Sequence, residues 1–481
     1  MNFDFNSQVR RELGYHLIDV VDKFYDSLPE RPVQVPAERR SYPPHLDSLP
    51  EIGDDPRQVL DEICGELIDN GFHVPSAHYL GMMNPTPTYM SFLGESLVSA
   101  LNPQLASVAR SQVASRIEAE AVRWIGELVK WQKAFSGTFT SGGNEANFSA
   151  LAMAMSRSFP NFIEDGIAAI GGRPVFYAST EGHHSLDKSA GLLGIGRRSL
   201  RRIAVNSGLQ METAKLEQAI ENDLAAGHKP FCVVATAGTT SSGAIDNLAE
   251  IAEICRRHDL WLHVDGAYGA AVLFSERYRA LMRGVELADS LTLDPHKWLA
   301  MPFSAGVVLT CHPEVLSQTF SVPCPYLQRT TVSALPDNMS IGAQWSRRMN
   351  SLKLWLTLKV HGRRAYQEMI DHQMELARRF AQWVHASENF ALATPQVLPV
   401  LNLRLRTEGI GAEDLGRLHS RIVEEVNRDG QRWISQTTVN GNNVMRVMII
   451  SYLTEERHLQ GLQAALEAAA IKLGRLETTS A

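Results

Sequence analysis

The sequence lacks long hydrophobic runs: no stretch approaches the roughly 18 consecutive apolar residues that a membrane-spanning helix requires. Residues 1–5 do not resemble the start of a signal peptide. Internal repeats and low-complexity segments are absent as well. We therefore predict a cytoplasmic protein that does not associate with a membrane.

Cysteine is scarce. The chain contains five cysteines, at positions 64, 232, 255, 311 and 324. They are scattered, odd in number and without the spacing of metal ligands, which favours reduced, mostly buried thiols over a disulfide framework. We expect no metal site.

Positive charge is also in short supply. The chain has 46 lysines and arginines against 53 aspartates and glutamates, a net charge of −7, and no basic cluster interleaved with aromatic residues. This balance argues against nucleic-acid binding. The rest of the composition is ordinary for a soluble enzyme, with 481 residues, 44% hydrophobic and 21% charged, enough for two or three domains.

One lysine stands at the end of a predicted buried strand. The apolar run Ser290–Leu293 leads into Asp-Pro-His-Lys-Trp at residues 294–298. A lysine held among apolar neighbours loses hydration, so its pKa falls and its amine can form a Schiff base with a carbonyl. A lone lysine at a strand end more often only extends its charge to water. The interpretation of Lys297 therefore depends on its neighbours.

A second apolar run, starting at Leu260, ends in His-Val-Asp-Gly-Ala-Tyr at residues 263–268. A carboxylate directed into a closed pocket costs several kcal/mol unless it meets a cation or a protonated ring nitrogen. Pyridoxal phosphate supplies such a nitrogen, and its chemistry needs an acidic partner there. The small residue Ala267 leaves room for a flat ring against the backbone. Lys297 and Asp265 together predict a pyridoxal phosphate site.

The chain resembles the pyridoxal-phosphate-dependent group II amino-acid decarboxylases, the family of aromatic-amino-acid and glutamate decarboxylases. The resemblance rests on residues 263–269 and 294–299 and on weaker segments in matching order, and it covers most of the chain. It implies a fold-type-I α/β enzyme, similar to aspartate aminotransferase, with a mainly parallel seven-stranded central sheet. It also implies a carboxy-lyase that releases CO₂ and an amine.

Strand-like runs alternate with helix-like segments between residues 89 and 365, which indicates an α/β domain. The predicted strands are 174–178, 230–235, 260–264, 290–293 and 306–309. Further runs at 398–405 and 444–452, and a helix opening near Thr454, predict a small carboxy-terminal α/β domain over 366–481.

The amino-terminal segment, residues 1–88, is expected to form an arm. Apolar residues between Val9 and Leu28 fit one face of a helix, and a proline-rich stretch follows to Pro56. The resemblance implies that this arm wraps a partner subunit in a homodimer whose active site lies near the interface. From composition alone, a solvated linker is equally compatible.

The cofactor phosphate needs backbone amides at a helix start, where the helix dipole attracts anions. Residues 140–147, Thr-Ser-Gly-Gly-Asn-Glu-Ala-Asn, precede an alanine-rich helical segment and meet that need. A glycine loop with Asn144 as an ordinary N-cap fits as well. The resemblance assigns Gly143 and Asn144 to the phosphate.

Other cofactor contacts come from the resemblance. His183 stacks on the ring and influences proton transfer near the substrate α-carbon, Thr236 sits beside the ring, and His296 lies on the phosphate side. Without the resemblance, His183 and its neighbour His184 fit a solvent-exposed pair, and Thr236 fits an ordinary turn.

Asp294 departs from the aromatic-amino-acid branch, which usually has asparagine there. A carboxylate would repel the phosphate, so Asp294 is either protonated or turned to a neighbouring amide. It is kept among the cofactor-binding candidates.

The family's α-carbon proton donor is a tyrosine on a mobile loop, and Pro-Tyr-Leu-Gln at residues 325–328 resembles that segment. The resemblance assigns the donor to Tyr326. Relatives that form aldehydes carry phenylalanine at this point, so the tyrosine favours simple decarboxylation. Packing of Tyr326 beside its flanking prolines is the alternative.

The segments 78–87 and 101–104 resemble the family's substrate pocket, and they suggest Asn84, Thr86 and Gln104 as substrate contacts. Arg347 is a further candidate, as a partner of the substrate carboxylate. Arg348 and Lys353 are assigned to a solvated helix face.

The mixed apolar and amide pocket favours an aromatic or other large neutral L-amino acid. An acidic substrate (glutamate, aspartate or cysteine sulfinate), an aminotransferase or carbon–carbon lyase of the same fold, and an inactive assembly partner are the alternatives.

Overall fold

The computed structural model describes residues 3–36, 49–323, 335–407 and 409–478. Within these residues the helices are α1 (Ser7–Ser27), α2 (Pro56–Asp69), α3 (Tyr89–Leu101), α4 (Gln112–Val129), α5 (Gly143–Ser158), α6 (Phe162–Asp165), α7 (Ser185–Leu192), α8 (Thr213–Ala225), α9 (Leu248–His258), α10 (Pro313–Phe320), α11 (Ser351–Ala386), α12 (Ala412–Asn427) and α13 (Glu456–Thr478). The strands are β1 (Ser136–Thr140), β2 (Pro174–Ser179), β3 (Leu200–Ile203), β4 (Lys229–Thr236), β5 (Trp261–Asp265), β6 (Ser290–Leu293), β7 (Gly306–Thr310), β8 (Phe390–Leu392), β9 (Val400–Leu405), β10 (Ser435–Val439) and β11 (Asn442–Met448).

The chain divides into two compact units, one formed by residues 1–82 with 404–481 and one by residues 83–403. The predicted boundary at 88/89 lies close to the first division. The predicted boundary at 365/366 lies inside α11.

The second unit contains a seven-stranded sheet of order β1-β7-β6-β5-β4-β2-β3. Strand β7 runs antiparallel to β1 and β6, and the remaining neighbours are parallel. The predicted fold class, a mainly parallel seven-stranded sheet, is therefore confirmed.

All five strands predicted between residues 89 and 365 are present, as β2, β4, β5, β6 and β7, whereas β1 and β3 were not predicted. Both lie at the edges of the sheet. The sequence of β1 is Ser-Gly-Thr-Phe-Thr and that of β3 is Leu-Arg-Arg-Ile, so neither contains an apolar run. Strand β3 is buried only at its two ends, and β1, although buried at four of its five positions, fills them with glycine, threonine and one phenylalanine, so both give a weak hydrophobic signal.

Helix α5 begins three residues after β1 ends and packs against β6 and β7. Most of its side chains between Ala146 and Ser156 are buried, and this stretch contains no charged residue. A helix that is buried on nearly all sides needs such a composition. The body of α5 is consequently held in the interior of the unit, whereas its first residues, 143–145, are half-buried or exposed.

In the first unit, α1 (Ser7–Ser27) confirms the amino-terminal helix predicted from the apolar spacing. The Asn6 side chain caps this helix by accepting a hydrogen bond from the backbone N–H of Val9. In the same unit, β10 and β11 form an antiparallel pair against which α12 packs. The leucines of α13, at positions 459, 462, 466 and 473, are all buried, as their spacing predicts. Among the described residues, no helix combines the length and apolar character needed to cross a membrane.

The expectation that Lys353 lies on a solvated helix face is wrong. Its side chain is only 1% exposed, its Nζ pairs with Glu95, and it donates hydrogen bonds to the carbonyls of Pro302 at 3.0 Å and Ser304 at 2.8 Å. These three acceptors stabilise a buried ammonium. Arg348, which also pairs with Glu95, is 46% exposed, as expected.

Replacing Lys353 should therefore destabilise the protein far more than replacing Arg348. Lys353→Met leaves Glu95 and two carbonyls without a buried donor, and we expect a loss of about 3–5 kcal/mol in the free energy of unfolding. Arg348→Met breaks an exposed pair with the same glutamate and should cost about 1 kcal/mol or less. Urea denaturation of both variants measures the difference, and equal losses would contradict the assignment.

Candidate active site

A cavity of about 360 Å³ opens where β4, β5 and β6 end and α5 begins. Parallel strands bring their carboxyl ends to one edge of a sheet, so residues far apart in sequence meet there. The nine cofactor residues predicted from the sequence all line this cavity: Gly143, Asn144, His183, Thr236, Asp265, Ala267, Asp294, His296 and Lys297.

The Lys297 amine faces a carboxylate. Its Nζ lies 3.2 Å from Asp294 Oδ2, and the lysine side chain is 24% exposed while that of Asp294 is 2% exposed. His296 Nε2 lies 3.6 Å from the same oxygen. Burial lowers the pKa of His296, although Asp294 opposes this effect, so the imidazole is mostly neutral near pH 7. The charge of Asp294 is therefore directed at Lys297.

Gly143 occupies a position with no room for a side chain. A Cβ atom there would lie 2.8 Å from Asp294 Oδ2 and 3.1 Å from the Ala267 Cβ. The preceding residue, Gly142, is the N-cap of α5 and offers no side chain to accept from the first-turn N–H groups. Those groups and the helix dipole favour an anion at this end.

Asp265 is held in a fixed orientation at the end of β5. The carboxylate is buried, with the residue 5% exposed. Its Oδ2 accepts a hydrogen bond from Asn147 Nδ2 at 2.8 Å, and its Oδ1 accepts one from the Ala267 N–H at 3.2 Å.

His183 is neutral at pH 7, because burial lowers its pKa despite the nearby Asp265. The Ser185 N–H donates to His183 Nδ1 at 3.1 Å, which leaves the ring proton on Nε2. Two buried oxygens of the cavity, Thr236 Oγ1 and Asp294 Oδ1, have no hydrogen-bond partner among the described residues. Orphaned polar atoms in a cavity are a common sign of a bound ligand.

The structure does not bring the four predicted substrate contacts to this cavity: Asn84, Thr86, Gln104 and Arg347 are absent from the described residues that line it. For Arg347 the reason is visible. Its guanidinium is buried, donates to the Phe139 carbonyl at 2.7 Å and pairs with Glu118. The proposed proton donor, Tyr326, lies outside the described residues.

Several lining residues were not predicted as site residues: Met83, Asn147, Thr240, Tyr268 and Phe303. For Asn147 a signal was present in the sequence. It follows Gly143 by four positions in the same helix, and residues at that spacing share a helix face. The others reach the cavity through loops, where hydrophobic periodicity carries no information.

A second cluster of polar residues lies at the opposite edge of the sheet, where β6 begins and β7 ends. Ligand atoms of Asp289, Cys311 and His312 lie within 4.8 Å of one another. His312 Nε2 is 2.7 Å from Asp289 Oδ1, and this hydrogen bond raises the pKa of His312 to about 9. The histidine and the aspartate thus form an ion pair near neutral pH.

The family model for the pyridoxal-dependent decarboxylase conserved domain matches residues 36–406. An aromatic-L-amino-acid decarboxylase of Bacillus atrophaeus is 30% identical over 473 residues, which cover 98% of this chain and 97% of the relative. An L-2,4-diaminobutyrate decarboxylase of Acinetobacter baumannii is also 30% identical, over 87% of this chain and 84% of the relative.

Solved structures share the fold. Oryza sativa TDC with PLP and tryptamine superposes with a TM-score of 0.91 at 23% identity and covers 98% of this chain and 100% of that chain. Mouse CSAD gives a TM-score of 0.89 at 24% identity, over 97% and 99% of the two chains. The sheet order and the cavity place this chain in the class of fold-type-I pyridoxal phosphate enzymes. Within that class it belongs to the pyridoxal-dependent decarboxylase family, and it is a pyridoxal-phosphate-dependent carboxy-lyase.

The residues present fit this cofactor. The cavity combines a lysine amine, a buried carboxylate with a fixed orientation, a neutral imidazole and a helix start without a capping side chain. Each matches a different part of pyridoxal phosphate, namely the aldehyde, the ring nitrogen, the ring face and the phosphate. The orphaned Thr236 hydroxyl adds a free polar atom beside them.

A side chain at Gly143 should interfere with cofactor binding. Gly143→Ala places a methyl group 2.8 Å from Asp294 Oδ2, so either the start of α5 or the Asp294 carboxylate must shift, and we expect the dissociation constant for pyridoxal phosphate to rise about tenfold or more. Gly191→Ala, where the added methyl meets no atom within 4 Å, is the matched control. Titration of the apoenzyme with the cofactor measures both, and unchanged binding by Gly143→Ala would refute the assignment of a close approach here.

Proposed function

We propose that the enzyme decarboxylates an aromatic or other large neutral L-amino acid to CO₂ and the corresponding amine. The observation that carries this proposal is the lining of the cavity. Met83, Tyr268 and Phe303 supply apolar and aromatic surface, and Lys297 is the only lysine or arginine among the described lining residues. A substrate with a side-chain carboxylate needs a cation to pair with, and such a residue is missing from that set.

The names of relatives agree with this substrate class. Besides the Bacillus atrophaeus enzyme, a tryptophan decarboxylase 2 of Oryza sativa is 29% identical over 97% of this chain and 95% of the relative. The diaminobutyrate decarboxylase relative leaves a basic amino acid as a substrate to be tested.

The proposed roles of the cavity residues follow from their contacts. When bound, the cofactor supplies an aldehyde that links to the amino acid and a ring that accepts the electron pair freed by loss of CO₂. Lys297 would hold the cofactor at that aldehyde. Asp265 accepts a hydrogen bond from the ring nitrogen and keeps it protonated.

His183 covers the ring face as a neutral imidazole, with its Nε2 proton directed away from Ser185. Gly143 and Asn144 bind the phosphate through the start of α5, with His296 nearby. Thr236 and Ala267 border the ring, the first through its unpartnered hydroxyl. Asp294, 3.2 Å from the Lys297 amine, stabilises the protonated amine while the lysine is free.

Tyr326 is proposed to protonate the α-carbon after CO₂ leaves. The support is the resemblance of residues 325–328 to the tyrosine loop of the family. Neither His183 nor His296 suits this role as a protonated imidazole, because burial lowers the pKa of both.

We also propose a cytoplasmic homodimer with its active site near the interface. In such an assembly a second subunit would complete the pocket, and Asn84, Thr86 and Gln104 remain candidates for contacts with the substrate. We do not propose that Arg347 binds the substrate carboxylate, because its guanidinium already pairs with Glu118 and donates to the Phe139 carbonyl. Sedimentation equilibrium tests the assembly, and cell fractionation tests the location.

A single experiment tests the lysine and the substrate together. Borohydride reduction of the holoenzyme followed by peptide mapping should label Lys297 alone, and Lys297→Ala should carry no label. Trapping of CO₂ across a panel of amino acids should show the highest kcat/KM with an aromatic or large neutral substrate. Preference for glutamate, aspartate, cysteine sulfinate or diaminobutyrate would overturn the substrate proposal and leave the decarboxylase assignment standing.

The role of Tyr326 is tested by removing its hydroxyl. In air, Tyr326→Phe should lower amine output and increase aldehyde and ammonia, because the α-carbon loses its proton donor and dissolved O₂ takes up the electron pair instead, forming hydrogen peroxide. Tyr15→Phe, at an exposed position on α1, is the control. Product analysis by chromatography measures both, and unchanged amine output from Tyr326→Phe would remove this tyrosine from the mechanism.

A further inference from the structure

Every second side chain of β5 can form hydrogen bonds, whereas the side chains of a central strand are ordinarily apolar. Trp261, His263 and Asp265 are two residues apart, so their side chains share one face of the strand. On the neighbouring β6, Ser290 is the register partner of His263, and Thr292 is that of Asp265. All five residues are at most 5% exposed.

These residues and Asn147 of α5 form a continuous chain of hydrogen bonds that ends at Asp265. Trp261 Nε1 donates to Ser290 Oγ at 2.8 Å, and Ser290 Oγ lies 2.8 Å from His263 Nδ1. His263 Nε2 lies 3.1 Å from Asn147 Oδ1, and Asn147 Nδ2 donates to Asp265 Oδ2 at 2.8 Å.

At the far end only one bond has a fixed direction. An indole nitrogen can only donate, so Ser290 Oγ accepts from Trp261. The hydroxyl keeps a second lone pair and its own proton, so it can pair with either tautomer of His263, and when it donates to His263 Nδ1 the neutral imidazole carries its proton on Nε2, toward Asn147. Burial lowers the pKa of His263 to about 4, so the ring is neutral at pH 7 and has one N–H to give.

The near end requires the same direction. An ionised Asp265 can only accept, which fixes the Asn147 amide with Nδ2 toward the carboxylate and Oδ1 away from it. Asn147 Nδ2 also donates to Ser185 Oγ at 3.1 Å, and Asn147 Oδ1 accepts from Thr292 Oγ1 at 2.9 Å. Thr292 Oγ1 lies 3.3 Å from His263 Nε2 and only 2.9 Å from Asn147 Oδ1, so its proton goes to the amide oxygen. The second lone pair of Oδ1 faces His263 Nε2, and because two acceptors at 3.1 Å would repel each other, Nε2 carries the proton. The Asn147 end thus selects the tautomer, the Ser290 end fits it, and no hydrogen-bonding atom of the amide is left without a partner.

We propose that His263 and Asn147 are positioning residues, which through this one-way chain orient Asp265 as the acceptor for the cofactor ring nitrogen. The inference rests on the proposed role of Asp265. Because every donor in the chain is neutral, the carboxylate keeps its charge for the ring nitrogen rather than sharing it with a cation. The His263 and Thr292 bonds also prevent the amide from turning its oxygen toward Asp265, which would repel the carboxylate.

The chain can be cut with side chains of matched size. His263→Leu fills the volume and removes the N–H, whereas His263→Gln keeps an amide donor near the Nε2 position. Thr292→Val is isosteric and removes the other donor to Asn147 Oδ1, so it tests the chain even if His263→Leu does not fold. Asp265→Asn is the reference for a lost carboxylate, and His372→Leu, at an exposed position of α11, is the control.

The measurements are the dissociation constant of pyridoxal phosphate from each folded variant and the absorption spectrum of the bound cofactor, neither of which needs turnover. We expect the dissociation constant to rise about tenfold in His263→Leu and several-fold in Thr292→Val. The spectrum of each should shift in the same direction as in Asp265→Asn. His263→Gln should recover most of the affinity and the wild-type spectrum, a rescue that a merely packing role for the imidazole would not produce.

The results distinguish a failure of the positioning chain from a failure of the proposed role of Asp265. Wild-type affinity and spectrum in His263→Leu and Thr292→Val, together with a clear change in Asp265→Asn, would overturn the positioning chain and leave the role of Asp265 intact. A wild-type spectrum and affinity in Asp265→Asn itself would overturn the role of Asp265 and the positioning chain with it.

Discussion

The buried carboxylate of Asp265 is the constraint on which the arrangement of the site depends. A charge in the interior of a parallel sheet is unfavourable by several kcal/mol unless donors surround it. The protein provides the Asn147 amide and the Ala267 N–H, and the further partner that we propose is the ring nitrogen of pyridoxal phosphate. The position of α5 follows from this need, because only a helix packed tightly on β5 and β6 can bring Asn147 to the strand ends.

A second electrostatic balance operates at the other end of the cavity. The Asp294 carboxylate lies 3.2 Å from the Lys297 amine and also borders the start of α5 at Gly143, and the nearby imidazole of His296 is mostly neutral because burial lowers its pKa. Asp294 is thus the partner of the Lys297 amine, a third arrangement beside the two drawn from the sequence, a protonated carboxyl or one turned to a neighbouring amide. The helix start still offers its N–H groups to an anion.

Buried cations away from the cavity maintain its walls. Lys353 binds the carbonyls of Pro302 and Ser304 on either side of Phe303, a residue that lines the cavity. Arg347 ties α4 to β1 through Glu118 and the Phe139 carbonyl, just before the loop that leads into α5. Both cations have structural partners in the interior, and this explains why neither reaches a substrate.

Local sequence patterns determined a large part of this protein. Runs of apolar residues predicted the five strands β2, β4, β5, β6 and β7, and Asp265 and Lys297, polar residues at or just beyond the ends of two of them, predicted a pyridoxal phosphate site. Most of the other cofactor candidates came from the resemblance to the decarboxylase family. Tertiary structure alone decided the rest. Edge strands β1 and β3 have no apolar run, Lys353 reads as a surface residue in its own helix, and the partners Asn147 and His263 are 116 positions apart in the chain. Contacts of that kind depend on how α5 packs on the sheet, and no periodicity within one segment reports which distant side chain will satisfy a buried polar atom.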